Sequence, residues 1–174
     1  METIVVPDRE SESPQLLTRR DHELAWMLGE SLGSDDSATA LGYNSLAAFA
    51  SVNHLHFHLT LRERPLPILD PRWRHQGGPE PYPIDCQSVD APDAGWDLID
   101  GLQRSRQPFN LIYTPGRLLC IPRRPQGDYA LPDWCAGHSW YELAGGLLCF
   151  DESRFLGLSA TEIRALLALG APVP

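Results

Sequence analysis

Three histidines fall within five consecutive positions, in the segment Asn53-His54-Leu55-His56-Phe57-His58-Leu59. The chain has 6 histidines in all, so half of them lie here. With a strand's period of two, His54, His56 and His58 share one face while Leu55, Phe57 and Leu59 share the other. The apolar face can enter a core, which leaves three imidazoles aligned along an accessible groove. Three readings compete. Polar residues can alternate on the wet side of a strand, although three successive histidines there bring no packing gain. Alternating imidazoles can present two or three ring nitrogens to a metal ion, but that wants a further ligand, and the sequence places neither His75 nor His138. A neutral imidazole can also attack phosphorus in line and form a phosphoramidate, with neighbouring His and Asn donors on the oxygens. Its near-neutral pKa suits proton transfer with the leaving group. Phosphoryl chemistry leads, and the surrounding residues decide it.

Composition narrows the field. All 14 basic residues of the 174 are Arg, and the net charge is −9. Without Lys there is no P-loop and no Schiff-base chemistry on a protein amine. The acidity argues against nucleic-acid binding, which needs a basic face. Small phosphorylated ligands stay open, because guanidinium forks suit them. Nothing approaches the roughly 20 apolar residues of a membrane span, and the opening Met1-Glu2-Thr3-Ile4-Val5-Val6-Pro7 lacks the features of a signal peptide. Cys86, Cys120, Cys135 and Cys149 have no CxxC spacing, so a structural zinc site is not expected. Reduced thiols in a cytoplasmic protein are the economical expectation, though an even cysteine number leaves disulfides open.

The elements that must position the histidines read as follows. Thr3 to Val6 is a strand ended by Pro7, and Asp8 to Pro14 a polar loop. A helix runs from an N-cap at Asp21 to Leu32, stopped by Gly33, with a turn at Ser34 to Asp36. Thr39 to Leu61 reads as two strands joined through Ala47 to Asn53. Residues 62–83 are crowded with Pro, Arg and Gly, a long irregular loop of the kind that is functional or mobile. Asp85 to Val89 is a short strand, and Pro92 to Arg106 a helix with Trp96, Ile99 and Leu102 on one side. Phe109 to Thr114 and Arg117 to Pro122 form a hairpin across Pro115-Gly116. Tyr141 to Phe150 is a strand candidate, and Ser159 to Leu169 a helix opened by a Ser159/Glu162 capping box. These runs predict one α+β domain over 1–174, an antiparallel sheet flanked by helices. No internal repeat is visible.

The stretch from Gly42 to Phe57 resembles the active-site segment of the GDP-hexose phosphorylases, the GDP-L-galactose and GDP-D-glucose enzymes of the histidine-triad superfamily. The resemblance continues in blocks through Pro81-Tyr82-Pro83, Trp96 to Leu102, Pro108 to Ile112, Cys120 to Arg123 and Trp140 to Gly145. It implies a histidine-triad fold, with His56 as the nucleophile that takes up a nucleoside monophosphate and His54 orienting it. Asn44 and Ser51 would hold phosphate oxygens. Phosphate would then release a nucleoside diphosphate, so the partners are a nucleotide or nucleotide sugar and phosphate, and no cofactor or metal is needed. Relatives usually carry Gln at the third triad position. His58 there is the pattern of the hydrolase branches, in which water resolves the intermediate. Relatives also have further strands ahead of Ile4 to Pro7. Their lack here implies a reduced domain, a smaller substrate, or a homo-oligomer or partner subunit that completes the base pocket; a non-catalytic nucleotide-binding subunit is a further alternative.

Further candidates follow from charge. Arg62 and Arg64, with Arg72 and Arg74, sit in the loop after the triad and could clamp a sugar phosphate or the attacking phosphate. Arg123 and Arg124 could do the same. His138, Trp140, Trp73, Trp96 and Trp134 are expected to pack.

Overall fold

The computed structural model describes residues 2–32 and 39–173. Six strands form one sheet in which every neighbour is antiparallel: β1 (Glu2–Val5), β2 (Thr39–Asn44), β3 (Phe57–Leu61), β4 (Gln87–Val89), β5 (Phe109–Thr114) and β6 (Arg117–Pro122), in the spatial order β1-β3-β2-β5-β6-β4. The helices are α1 (Arg19–Leu32), α2 (Pro92–Arg104), α3 (Trp140–Leu143), α4 (Glu152–Leu156) and α5 (Ala160–Leu169). The α+β class expected from the sequence is present, and no described helix is long and apolar enough to cross a membrane.

Both faces of the sheet are covered, so the central strands are buried along nearly their whole length. Leu41, Tyr43, Phe57, Phe109, Leu111, Tyr113, Leu118 and Cys120 point to one face and pack with Ala25 of α1 and Ile99 of α2. Trp96 and Leu102 join Ile99 there, as the i, i+3 spacing predicts. Ala40, Ile112, Leu119 and Ile121 point to the other face, against Trp140, Leu143 and Leu167. The hairpin is as read, with Thr114 opposite Arg117 and Gly116 at φ 66° closing the two-residue turn.

Four expectations change. The first helix is capped by Thr18, whose hydroxyl accepts from the Asp21 amide, while the Asp21 carboxylate reaches back to the Thr18 N–H at 2.9 Å. Asp21 is therefore the acidic member of a capping box, not the cap. Gly33 and the turn at 34–36 lie outside the described residues. Tyr141 to Phe150 is not a strand, because the Ser139 hydroxyl and Glu142 carboxylate cap a helical turn there and Gly145 follows at φ 89°. The loop at 62–83 is no free excursion, for it contains two short 3-10 turns, buries Leu66 and Ile68 in the second core and also buries Trp73. Finally, β3 begins only at Phe57, so His54, in a bend, and His56 lie ahead of the strand and His58 alone is within it.

Gly42 shows how tightly the site face is built. It pairs with His58 on one side and Ile112 on the other. A Cβ there would stand 2.0 Å from Trp140 Cδ2, so the indole lies flat against bare backbone. Gly42→Ala should displace Trp140 and destabilise the fold by about 1–3 kcal/mol, measured by chemical denaturation, with a shift in tryptophan emission in the native baseline.

Candidate active site

The chain leaves a bend at 51–54 and passes through Leu55 and His56 into β3, and this path is held from both sides. Leu55 and Phe57 are buried in the first core, a burial worth roughly 1.5–3 kcal/mol for each side chain. The segment 11–15 then runs beside this lead-in. Leu55 N–H donates to Ser13 O at 2.9 Å, and Gln15 N–H to Asn53 Oδ1 at 3.0 Å. His54 Nε2–H donates to Ser11 O at 3.1 Å, a direction fixed because a carbonyl can only accept.

The buried Gln15 side chain completes the clamp. His56 N–H donates to Gln15 Oε1 at 3.0 Å. Gln15 Nε2 donates to His56 O at 3.2 Å and to Asn44 O at 2.8 Å. One amide thus ties the main chain at His56 to the end of β2, across a gap in which the two strands no longer pair. Gln15 was not identified from the sequence, because it sits in a polar stretch 41 residues from its partner.

The His56 ring is held by its own neighbourhood. Its Nδ1 lies 2.7 Å from His54 O. The carbonyl can only accept, so Nδ1 carries the proton and the neutral ring keeps its lone pair on Nε2. That Nε2 is buried and has no protein partner. His58 packs against it edge to face, with ring centroids 5.1 Å apart, and Trp140 lies 6.4 Å beyond His58. The structure therefore brings His56 and His58 together as side chains and adds His54 through its carbonyl. The His54 ring turns to Ser11 rather than into a common groove. Among the described residues no three or more His, Cys, Asp and Glu gather in an arrangement that could hold a metal ion.

Behind the two rings runs a buried polar row. Asn44 Oδ1 accepts from Trp140 N–H at 2.9 Å and from Asn110 Nδ2 at 2.6 Å. Asn110 Oδ1 in turn accepts from Arg123 at 2.8 Å. The guanidinium also donates to His138 O and to the Tyr129 hydroxyl and stacks over Phe49 at 4.8 Å. Tyr129 OH then donates to His138 Nδ1 at 2.8 Å, since that nitrogen already faces an Arg donor. Arg123 is wholly buried, so it is a structural cation and not the surface phosphate clamp the sequence suggested. Burial, and then the Arg123 guanidinium, push His138 down to about 3.

The remaining sequence candidates scatter. Ser51 is exposed on the connection between β2 and β3, beyond the left-handed residues Ala47 and Phe49. Arg62 follows β3 on the same side as His58, about 13 Å further along the strand, and bonds the Tyr141 hydroxyl. It opens on a cavity of about 370 Å³ lined by Tyr141, Gly145, Gly146, Leu147 and Phe155 but by none of the three histidines. Arg64 and Arg74 are exposed, and Arg72 lies over Trp73 at 4.2 Å.

Residues 1–60, which hold His54, His56, His58 and Gln15, match the family described as GDPGP1-like, N-terminal domain. The whole fold is similar to that of solved structures of one enzyme. Yeast Ap4A phosphorylase Apa2 in complex with Ap4A is similar with a TM-score of 0.70 at 16% identity, covering 99% of this chain and 70% of that one. Its AMP complex has a TM-score of 0.70 at 15% identity, with 97% and 68% covered. A further structure of the same yeast enzyme has a TM-score of 0.70 at 14% identity, with 99% and 71% covered. No curated protein sequence matches the chain.

Two outcomes follow from the Gln15 clamp and the row behind it. Gln15→Ala leaves two carbonyls and an N–H buried without a partner, and should cost about 1–3 kcal/mol in urea unfolding. His138 binds its proton more weakly folded than unfolded, so stability rises with pH between about 3 and the unfolded value of 6.5 and is flat above. His138→Asn should flatten that slope by up to about 1.4 kcal/mol per pH unit.

Proposed function

We propose that the chain is a nucleotidyl-transferring enzyme of the histidine-triad type, which cleaves a nucleotide phosphoanhydride through a covalent intermediate on His56. The observation that carries this reading is the His56 ring, with Nδ1–H tied to the His54 carbonyl at 2.7 Å and Nε2 left without a protein partner. A nucleophile needs its lone pair unprotonated and aimed, and this geometry supplies both. The GDPGP1-like match and the fold shared with Ap4A phosphorylase support nucleotide phosphorylase chemistry as the class.

In this reading Nε2 attacks the α-phosphorus. The P–N bond forms as the anhydride P–O bond breaks, and the distal phosphate leaves with the rest of the substrate. An oxygen of inorganic phosphate then attacks the same phosphorus, the P–N bond breaks, and a nucleoside diphosphate departs. With a GDP-hexose the products are GDP and the sugar 1-phosphate. No cofactor is called for. His58, ring to ring with His56, moves the proton at the entering and leaving oxygens. Asn44 has its oxygen committed to Trp140 and Asn110, so it presents its NH2 end to a phosphate oxygen, and Ser51 adds a hydroxyl. Arg62 and Arg64 stand too far along the loop for the reacting phosphorus and are assigned to the distal, anionic part of the substrate. His58 also favours a second reading, in which water replaces phosphate as the acceptor.

The test incubates the protein with nucleotide sugars and dinucleoside polyphosphates, with and without phosphate, and weighs the intact chain. A nucleotide adduct is expected whose mass names the base. His56→Ala should lose the adduct and at least about 10³-fold in turnover. Phosphate-dependent release of nucleoside diphosphate marks phosphorolysis, and monophosphate release without phosphate marks hydrolysis. His58→Gln should shift the ratio of water to phosphate as acceptor by about 10-fold or more towards phosphate. No adduct and no turnover across the panel overturns the reading.

A further inference from the structure

Away from the sheet, Cys135 and Cys149 face each other in an isolated antiparallel bridge. The hydrogen bonds around them define the kind of pair. Ala136 N–H donates to Leu148 O at 3.1 Å, and Phe150 N–H to Trp134 O at 3.3 Å. Both bonds flank the cysteines and neither belongs to them, so the two residues form a non-hydrogen-bonded pair. In such a pair the Cα atoms stand about 4.5 Å apart and both side chains leave on the same side of the ribbon. A disulfide needs Cα atoms about 4.4–6.8 Å apart with Cβ atoms converging. The backbone already meets this requirement, and both cysteines are free thiols. Each sulfur now points to a carbonyl two residues ahead on its own strand, Cys135 to Gly137 O at 2.8 Å and Cys149 to Asp151 O at 3.3 Å. Rotation about Cα–Cβ is all that separates them from each other.

We propose that Cys135 and Cys149 are a dithiol–disulfide couple, oxidised by a low-molecular-weight disulfide of the glutathione type. Cys149 is the more exposed of the two, while Cys135 is 6% exposed, so the first attack falls to Cys149. Its thiolate breaks the S–S bond of the oxidant, releasing one thiol and leaving a mixed disulfide. The Cys135 thiolate then attacks the Cys149 sulfur and expels the second thiol. Two protein thiols are oxidised and one small disulfide is reduced to two thiols, which balances electrons and protons. The 15-residue loop from Cys135 to Cys149 carries His138, Ser139, Trp140 and Glu142. It includes the α3 turn that holds Asn44 and flanks His58, so the cross-link would tie down that wall of the candidate site. The other two thiols are placed differently: Cys120 is wholly buried in the first core, and Cys86 packs against the second.

The full chain is equilibrated in buffers of reduced and oxidised glutathione, quenched with acid and mapped. The expected result is loss of two hydrogens from the intact mass, a Cys135–Cys149 linked peptide, and Cys86 and Cys120 still alkylatable after unfolding. Cys149→Ser should abolish the cross-link and Cys86→Ser should leave it. Closing a 15-residue loop without distortion should raise Tm by about 6–12 °C. Persistent glutathionylation of Cys149 alone, a link to Cys86 or between chains, no link at any ratio, or a lowered Tm would each overturn the proposal.

Discussion

The hydrogen bond from His56 Nδ1 to the His54 carbonyl is the constraint on which the rest of the site turns. It joins a side chain to a main-chain group only two residues away, at 2.7 Å, and so requires the backbone between them to be extended and the intervening Leu55 to point the other way. Leu55 does so because the first core accepts it. The alternation of His and apolar residues is therefore more than amphipathic patterning. It converts hydrophobic burial on one face into a fixed tautomer on the other. Gln15 is needed because β3 has not yet begun at His56. Where strand pairing lapses, a side-chain amide supplies the missing donor and acceptors to the main chain.

Arg123 gives the absence of Lys a physical meaning. The side chain is buried with no carboxylate bonded to it among the described residues, and its charge is met by Asn110, the His138 carbonyl, the Tyr129 hydroxyl and the face of Phe49. A planar fork can serve several acceptors in fixed directions, whereas an ammonium cannot. Burial still presses the guanidinium's pKa downward. Burial, and then the same charge, keep His138 neutral, and the neutral ring accepts from Tyr129. Hydrogen bonds carry the row on through Asn110 to Asn44, at the edge of the candidate site.

How much of this was legible in the sequence varied with the range of the interaction. The hairpin at 109–122, the α2 face and the Ser159/Glu162 box are local, and local spacing reveals them. The Ser139/Glu142 pair has the same spacing as Ser159/Glu162, yet the apolar run after Tyr141 outweighed it and suggested a strand. The triad's alternation was visible, but the late start of β3 was not, because no residue type announces left-handed backbone at Ala47 and Phe49. Gln15 and Arg123 were beyond reach for a different reason. An amide in a polar loop and an Arg beside another Arg look like surface until the fold brings their partners to them.

The placement of the cations bears on how an acidic chain could stabilise a phosphoryl group. Arg123 is enclosed behind Asn110 and Arg62 stands down the strand beside Tyr141, so neither guanidinium lies against the His56–His58 pair. On the proposed chemistry, negative charge developing at phosphorus must then be met chiefly by dipoles: the amide end of Asn44, the Ser51 hydroxyl and imidazole N–H. Fixed dipoles have an advantage in a buried site, because they need not reorganise as charge moves. They are effective only if they are already oriented. The row from Asn44 to Tyr129 fixes one of them, since the Asn44 oxygen is held by two donors and its amide plane cannot turn freely.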